Sequence, residues 1–319
     1  MASVWFVRGR LRTPWRFLAT GLLVVFATVV ASLPVAIVDV PLDPRAATGE
    51  ALALVLGYQA VVGVAIAAAV VIAARHVDRR TMADLGLGRQ RWLRELAIGG
   101  VLGAALMTGA YAAGVVAGVY RPTFAPAGPD GYSLAVWFGL CAVFVIVVGV
   151  YEELLFRGYV LTNLAEGLTA VLSPRRAVIA AILLSGAGFG VVHGGNPNMT
   201  PLGVATIAVA GLLLGLGYGY TGRIALPVGF HITWNAAHFV YGLPVSGLEL
   251  GIRVVETERV GSALLHGGSV GPEGGVFGFI AAAVGCLAVV AYGRAVSGGL
   301  DETVAVPAIR SGADDNSAL

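Results

Sequence analysis

The chain has 319 residues, of which 57% are hydrophobic and only 12% are charged, and its mean hydropathy is +0.85. Soluble domains carry roughly 25% charged residues, so the composition argues strongly against a soluble protein and indicates an all-α, polytopic integral membrane protein. The formal net charge of +2 is too small to favour nucleic acid as a partner, and membrane lipids are the partners that the composition predicts.

Residues 1–16 predict a basic cytoplasmic segment. Four arginines precede an apolar run of about twenty residues; they are Arg8, Arg10, Arg12 and Arg16. The apolar region of a cleaved signal peptide is about 7–15 residues long, so we interpret the run as a retained first helix.

Eight apolar stretches of spanning length lie between residues 17 and 297, which predicts one membrane domain of about eight transmembrane helices. They are approximately Phe17–Val38, Ala51–Ala74, Leu96–Val119, Leu134–Val150 with a continuation, Ala177–Val192, Leu202–Tyr220, Ile224–Val240 and Val276–Val296. The fifth and seventh stretches are close to the lower limit of about 17–25 residues for a span.

The arginines predict the orientation of these helices. With the N-terminus inside, all but four of the twenty arginines fall on inner segments, and the four outer ones are Arg45, Arg121, Arg253 and Arg259. This asymmetry fits the positive-inside rule and predicts a multi-pass protein of the cell membrane with both termini in the cytoplasm.

The connecting segments differ in composition. Residues 40–44 and 121–131 are rich in proline and glycine and predict outer turns. The longer outer segment 243–274 predicts a mobile loop, and the small-residue, acidic tail 298–319 predicts disorder. The basic inner loop 75–94 predicts a topology signal in contact with anionic lipid.

The fourth apolar stretch leads into an unusual acidic motif. Its apolar residues run from Leu134 to Val150, and Glu152 and Glu153 follow, with Arg157 one turn later. An acidic side chain near the centre of a spanning helix costs about 2.5–3.5 kcal/mol, so this motif indicates a functional site. We expect Glu153 to pair with Arg157, which leaves Glu152 free to take a proton or hold a water. The alternative is that these charges end a span and are solvated by lipid headgroups.

Few other strongly polar side chains occur within the apolar stretches. His193 ends the fifth stretch, and His231 and Asn235 lie one turn apart on one face of the seventh. A histidine in such a place is commonly a hydrogen-bonded packing residue, and we keep that interpretation for His238. The other three residues can converge with a glutamate, which favours a shared site.

The spacing along the chain predicts which of these groups meet. If the fourth and fifth helices form a hairpin at residues 173–174, Glu152 and His193 are level, because they lie 21 and 20 residues from Ser173. Hydropathy alone would place His193 near the outer end of its helix. The hairpin therefore requires the loop 194–201 to dip into the membrane.

These residue types supply the parts for attack of water on an amide. A glutamate in a medium of low dielectric constant can act as a general base, and neighbouring histidines can orient a water or bind a metal. An asparagine can donate to a developing oxyanion. The sequence contains no Gly-x-Ser-x-Gly and no His-Glu-x-x-His motif, which argues against common serine and zinc proteases.

Three motifs in this order resemble the CPBP family, the CAAX proteases and bacteriocin-processing enzymes related to lysostaphin resistance protein A. They are Glu-Glu-x-x-x-Arg at 152–157, Phe-x-x-x-His at 189–193 and His-x-x-x-Asn at 231–235. The resemblance covers residues 134–240 in detail. It implies an intramembrane endopeptidase that acts on a membrane-associated or lipidated peptide or protein, in a cavity reached from the cytoplasm.

The resemblance also implies a role for each matching residue. Glu152 would activate the water, and His193 would help to hold it. His231 and Asn235 would stabilise the oxyanion.

The resemblance also implies two supporting residues and an alternative mechanism that uses a metal ion. Glu153 and Arg157 would be supporting residues. No cofactor is required by the sequence, but zinc is an alternative, with Glu152, His193 and His231 as its ligands.

Two other functions use the same residues. A proton-coupled carrier or channel would use the carboxylates and histidines as a proton relay. A non-catalytic membrane adaptor or immunity protein would keep the site only for binding.

Overall fold

The structure is a computed structural model that describes residues 5–7, 9–38 and 49–306. Within these ranges it consists mainly of eight long helices, labelled α1 to α8. Their bounds are Thr13–Val38, Gly49–His76, Trp92–Val116, Leu134–Leu168, Pro174–His193, Pro201–Thr221, Ala225–Val240 and Val276–Ser297. The helices lie where the eight apolar stretches predicted them, and the all-α, polytopic fold class is confirmed.

Seven of these helices are long and apolar enough to cross a membrane, and α7 is the exception. It has only 16 residues, and twelve of them are buried. A helix this short whose residues are mostly buried is typical of a bundle core. α7 is therefore a core helix, and its weak hydropathy signal reflects the polar residues His231, Asn235 and His238 that it carries.

Close packing of α3 against α7 depends on glycines. A Cβ atom at Gly99 of α3 would lie 2.0 Å from the carbonyl oxygen of Leu226, and one at Gly229 of α7 would lie 2.0 Å from that of Leu96. Small residues at these positions let the two backbones approach closely, as in other membrane helix pairs. This contact fixes α7 and with it the polar residues that α7 carries.

α4 continues past the acidic motif for 35 residues in total. It is α-helical over Leu134–Glu153, π-helical over Leu154–Leu161 and α-helical again over Thr162–Leu168. π-helical turns are rare and occur frequently at functional sites. Here the wider turn begins directly after Glu153.

Two antiparallel strand pairs accompany the helices. β1 (Phe6–Val7) pairs with β2 (Arg10–Leu11), and β3 (Tyr120–Ala127) pairs with β4 (Arg253–Arg259). A short α-helix and four 3-10 helices complete the described elements; they are Ala263–His266, Ala83–Leu85, Gly268–Val270, Pro272–Gly274 and Glu302–Ala305.

The second strand pair corrects two predictions. Residues 121–131 were expected to be only a turn, and residues 243–274 only a mobile loop, yet both contribute a strand to the same pair. The pairing joins segments that are far apart in sequence, so the local proline and glycine content gave no sign of the partner.

One arginine of the inner loop is buried in the protein, whereas the other arginines of residues 75–94 are exposed, so contact of this loop with anionic lipid stays a prediction. Arg80 is fully buried, and its Nη2 lies 2.8 Å from Oε2 of Glu166 on α4. Arg16 donates to the same oxygen at 2.7 Å, and Arg10 pairs with the other carboxylate oxygen. The carboxylate of Glu166 thus connects Arg10, Arg16 and Arg80 at the arginine-rich end of the bundle.

The tail after α8 is partly ordered. The 3-10 helix Glu302–Ala305 buries Val304 and Ala305 in the hydrophobic core, so the expectation of disorder is corrected for residues 298–306. The rest of the tail lies outside the described residues, as does the predicted turn at residues 40–44.

Candidate active site

The four residues predicted to form a site lie together in the structure. Nε2 of His193 and Nε2 of His231 each lie 3.8 Å from Oε2 of Glu152. Asn235 follows His231 by one turn of α7 and lines the same cavity as the other three side chains. Three helices thus bring one carboxylate, two imidazoles and one amide to the same place.

Glu153 forms the predicted ion pair and one contact that was not predicted. Its Oε1 accepts from Nη1 of Arg157 at 2.9 Å and lies 2.9 Å from Nδ1 of His231. Glu153 and Arg157 are both completely buried. Because a carboxylate only accepts hydrogen bonds, Nδ1 of His231 carries a hydrogen, and the opposite nitrogen is directed towards Glu152.

Phe189 packs against Arg157 of this ion pair and against both imidazoles. The guanidinium of Arg157 lies 4.5 Å from the centre of the Phe189 ring, a cation–π contact. The same ring lies 4.5 Å from His193 and 6.0 Å from His231, centre to centre. The phenylalanine of the Phe-x-x-x-His motif therefore positions the charged groups through its ring.

The orientation of His193 follows from its place at the end of α5. Its Nδ1 lies 2.7 Å from the carbonyl oxygen of Phe189, one turn earlier in the helix. A carbonyl oxygen only accepts, so Nδ1 carries the hydrogen and Nε2 presents a lone pair. That lone pair is on the nitrogen nearest to Glu152.

The two oxygens of Glu152 have different surroundings. Oε1 accepts a hydrogen bond from the hydroxyl of Tyr151 at 3.1 Å. Oε2 is buried and has no hydrogen-bond partner among the described residues. The 3.8 Å separation from both imidazoles is too long for a direct hydrogen bond and is a separation that one water molecule can bridge.

The cavity around this cluster has a volume of about 160 Å³. One end is polar and contains the four candidate residues. The other walls come from α2, α4 and the segments after α5 and α7. Their apolar residues are Val62, Phe144, Val148, Val245 and Leu248, and their polar residues include Gln59, Asn196 and Ser246. One water occupies about 30 Å³ in the liquid, so the volume admits several waters or a short segment of substrate.

A buried carboxylate outside the motifs holds one wall of the cavity. Oε2 of Glu273 accepts from the backbone N–H and the hydroxyl of Ser246 at 2.7 and 2.8 Å, and Oε1 accepts from the indole of Trp234 at 2.9 Å. Burial favours a raised pKa for Glu273, but nearby His238 and these three donors outweigh it and lower the pKa below its usual range. The sequence analysis missed Glu273, because a single acid in a glycine-rich loop carries no motif.

Replacing Glu273 with glutamine is expected to destabilise the protein by about 1–3 kcal/mol, because the new amide nitrogen would face an N–H donor on one side. Denaturation of the purified protein in detergent measures this loss. The double variant Glu273→Gln, Trp234→Phe is expected to recover part of it, relative to Trp234→Phe alone, since phenylalanine brings no donor. Equal losses in the two backgrounds would show that the indole of Trp234 does not contribute to the cost, and no loss in either background would show that the carboxylate does not hold the turn.

His238 lies apart from the cluster, as its interpretation as a packing residue requires. It is completely buried, and its Nδ1 lies 2.9 Å from the carbonyl oxygen of Trp234.

The zinc alternative names three of these side chains as ligands. Across the described residues, no group of three or more His, Cys, Asp or Glu side chains has the spacing that holds a metal ion. Glu152, His193 and His231 converge, and Nε2 of each imidazole lies 3.8 Å from the same carboxylate oxygen.

Comparison with protein families identifies the same segment. Residues 133–237, about a third of the chain, match the family described as Type II CAAX prenyl endopeptidase Rce1-like. The match includes all three motifs, and the predicted resemblance to the CPBP and CAAX proteases is confirmed for this segment. At the level of the family it supports a CAAX-protease-like membrane endopeptidase. No curated protein and no solved structure matches the chain.

Proposed function

We propose, on the basis of the match of residues 133–237 to the Rce1-like family, that this protein is an intramembrane endopeptidase that uses Glu152 to activate a water molecule. It hydrolyses a peptide bond in a membrane-associated peptide or protein. The observation that carries the proposal is the position of Oε2 of Glu152, which has no hydrogen-bond partner in the described part of the chain and lies 3.8 Å from both imidazoles inside a cavity. This arrangement fits a single water held by the carboxylate and one imidazole.

In the first step, the water donates one hydrogen to Oε2 of Glu152 and the other to the lone pair on Nε2 of His193. Glu152 takes a proton as the oxygen of the water attacks the carbonyl carbon of the substrate. The proton then sits on the carboxyl group, and the negative charge moves to the former carbonyl oxygen. His193 orients the water because its own Nδ1 is fixed by the Phe189 carbonyl.

The negatively charged oxygen formed from the substrate carbonyl in this step requires hydrogen-bond donors close to it. His231 supplies one when it is protonated on both nitrogens, a form that the adjacent carboxylates of Glu152 and Glu153 stabilise. The amide N–H of Asn235 supplies a second donor from the same face of α7. Transfer of the proton from Glu152 to the leaving nitrogen breaks the peptide bond and restores the carboxylate.

Glu153 and Arg157 support these steps without contacting the substrate. Arg157 donates to Glu153 at 2.9 Å and to the carbonyl oxygen of Gly211 on α6 at 3.0 Å. Glu153 in turn fixes the ring of His231. The pair therefore connects α4, α6 and α7 and keeps the imidazole directed into the cavity.

Removal of divalent metal ions is expected to leave cleavage unchanged, because the proposed steps use only side chains and one water. Incubation with a chelator before an assay of cleavage measures this. Loss of activity that zinc restores would instead assign Glu152, His193 and His231 as metal ligands, with a metal-bound water as the nucleophile.

The proposed activity can be tested without knowing the substrate. Labelling of protein N-termini in membranes that contain the wild type or the Glu152→Gln variant should reveal peptides that appear only with the wild type. Identical sets of N-termini at equal protein levels would contradict an endopeptidase. Flux of protons through proteoliposomes in that case would favour a carrier or channel.

A further inference from the structure

The polar lining of the cavity continues towards only one end of the bundle. Asn196 and Ser246 line it, and they belong to the connections after α5 and after α7. Asn196 donates to the carbonyl oxygen of Ser246, and Thr257 of β4 donates to that of Tyr241 at the end of α7, so these connections lie at the same end as the β3–β4 pair. This is the arginine-poor end of the protein: Arg121, Arg253 and Arg259 are the arginines there in the part of the chain that the structure describes.

The opposite side of the cluster is closed by buried residues. Glu153 and Arg157 are completely inaccessible to solvent, and the π-helical segment that contains Arg157 also buries Leu154 and Leu161. A Cβ atom at Gly158 of this turn would lie 2.8 Å from the carbonyl oxygen of Leu85, so the inner loop packs directly on the helix. Water or a peptide that approached from the arginine-rich end would meet a packed core.

The catalytic groups lie about halfway through the bundle. Glu152 is the nineteenth of the 35 residues of α4. A Cβ atom at Gly63, near the middle of α2, would lie 2.7 Å from the neighbouring Tyr151. α5 ends at His193, at this same level, and so it stops well short of the arginine-poor end.

Irregular backbone therefore fills the remaining half of the bundle at this point. The turn Val245–Leu248 is held by Glu273 and by the side chain of Asn196, which donates to the Ser246 carbonyl at 3.1 Å. Non-helical backbone is tolerated at membrane depth only where it is buried in protein or lines a water-filled cavity. Here the segments that follow α5 and α7 line the cavity itself, so the route by which water reaches the cavity runs along these two segments.

We infer that the cavity opens to the extracytoplasmic side of the membrane. The polar path leads to the arginine-poor end, and the positive-inside rule places that end outside. If the proposed function holds, the substrate is an exported peptide or protein segment whose cleaved bond lies in the outer half of the membrane. This differs from the cytoplasmic access that the family resemblance implied.

Labelling of single cysteines in intact cells tests the access without any need for turnover. The background variant replaces Cys141 and Cys286 with alanine. Gln59→Cys, on the exposed wall of the cavity formed by α2, and Ser246→Cys report on the cavity. Arg89→Cys, in the exposed inner loop, is the matched control for the opposite end.

A membrane-impermeant maleimide is expected to label both cavity cysteines fully in intact cells and to label Arg89→Cys only after permeabilisation. Phe124→Cys, which is 77% exposed on β3, serves as the positive control for the outer surface. The inference is overturned if the cavity cysteines react only after permeabilisation while Phe124→Cys reacts in intact cells. Reaction of Arg89→Cys in intact cells overturns it as well.

The substrate part has a separate readout. N-termini that depend on Glu152 are expected to fall in extracytoplasmic or outer-leaflet segments of their proteins. N-termini in cytoplasmic segments would overturn this substrate class and leave the endopeptidase activity standing. Outward labelling of the cavity in a protein that produces no such N-termini would instead overturn the activity and leave the direction of access standing.

Discussion

Substitution of Glu152 by glutamine is expected to lower the rate of peptide cleavage by about 10²–10⁴-fold, the usual contribution of a general base. The amide is nearly the same size as the carboxylate but cannot take the proton from the water. The side chain is 13% exposed and its Oε2 accepts no hydrogen bond among the described residues, so little packing depends on its charge. The variant should therefore insert into the membrane and unfold at the same denaturant concentration as the wild type.

Tyr151→Phe is a matched control for this experiment. It removes the hydrogen bond to Oε1 of Glu152 at 3.1 Å but leaves Oε2, the oxygen that faces the imidazoles. We expect a fall in rate of about tenfold or less, as for the loss of one hydrogen bond. Full turnover by Glu152→Gln would contradict the mechanism, and a fall in the Tyr151→Phe variant as large as that in Glu152→Gln would assign the essential role to the other oxygen.

The positions of the candidate site residues could be predicted from the sequence because helix geometry is regular. The pairing of Glu153 with Arg157 follows from their spacing of four residues, and the level placement of Glu152 and His193 follows from equal distances to the turn at Ser173. Hydropathy alone would place His193 near the outer end of its helix, and the dip of the following loop into the membrane stays a prediction.

The contacts that complete the site could not be predicted in this way. The hydrogen bond between His231 and Glu153 depends on which face of α7 meets α4. Glycines such as Gly99 of α3 determine this face, because they let α3 and α7 pack closely. Glu273 contacts Ser246 at the cavity wall only because the segment after α7 folds back over the site. Such contacts join residues that are far apart in sequence and have no periodic signal.

The ion pair between Glu153 and Arg157 is expected to dominate the stability of the site. Glu153→Gln leaves a completely buried guanidinium without its counter-ion, which typically costs about 3–5 kcal/mol. The denaturation midpoint in detergent should fall accordingly. Cleavage should fall as well, because His231 loses the carboxylate that fixes its ring.

A double variant distinguishes the effect of the buried charges on stability from the effect of side-chain packing in this pair. Glu153→Gln combined with Arg157→Met leaves neither charge of the pair buried, so it should be more stable than Glu153→Gln alone while cleavage remains low. The exposed pair Arg121–Glu258, whose side chains are 66% and 65% accessible, provides the control, and Glu258→Gln should cost no more than about 1 kcal/mol. Equal instability of the double and the single variant would contradict this expectation. It would show that packing of Arg157 against Phe189 stabilises the site and that the carboxylate of Glu153 only orients His231.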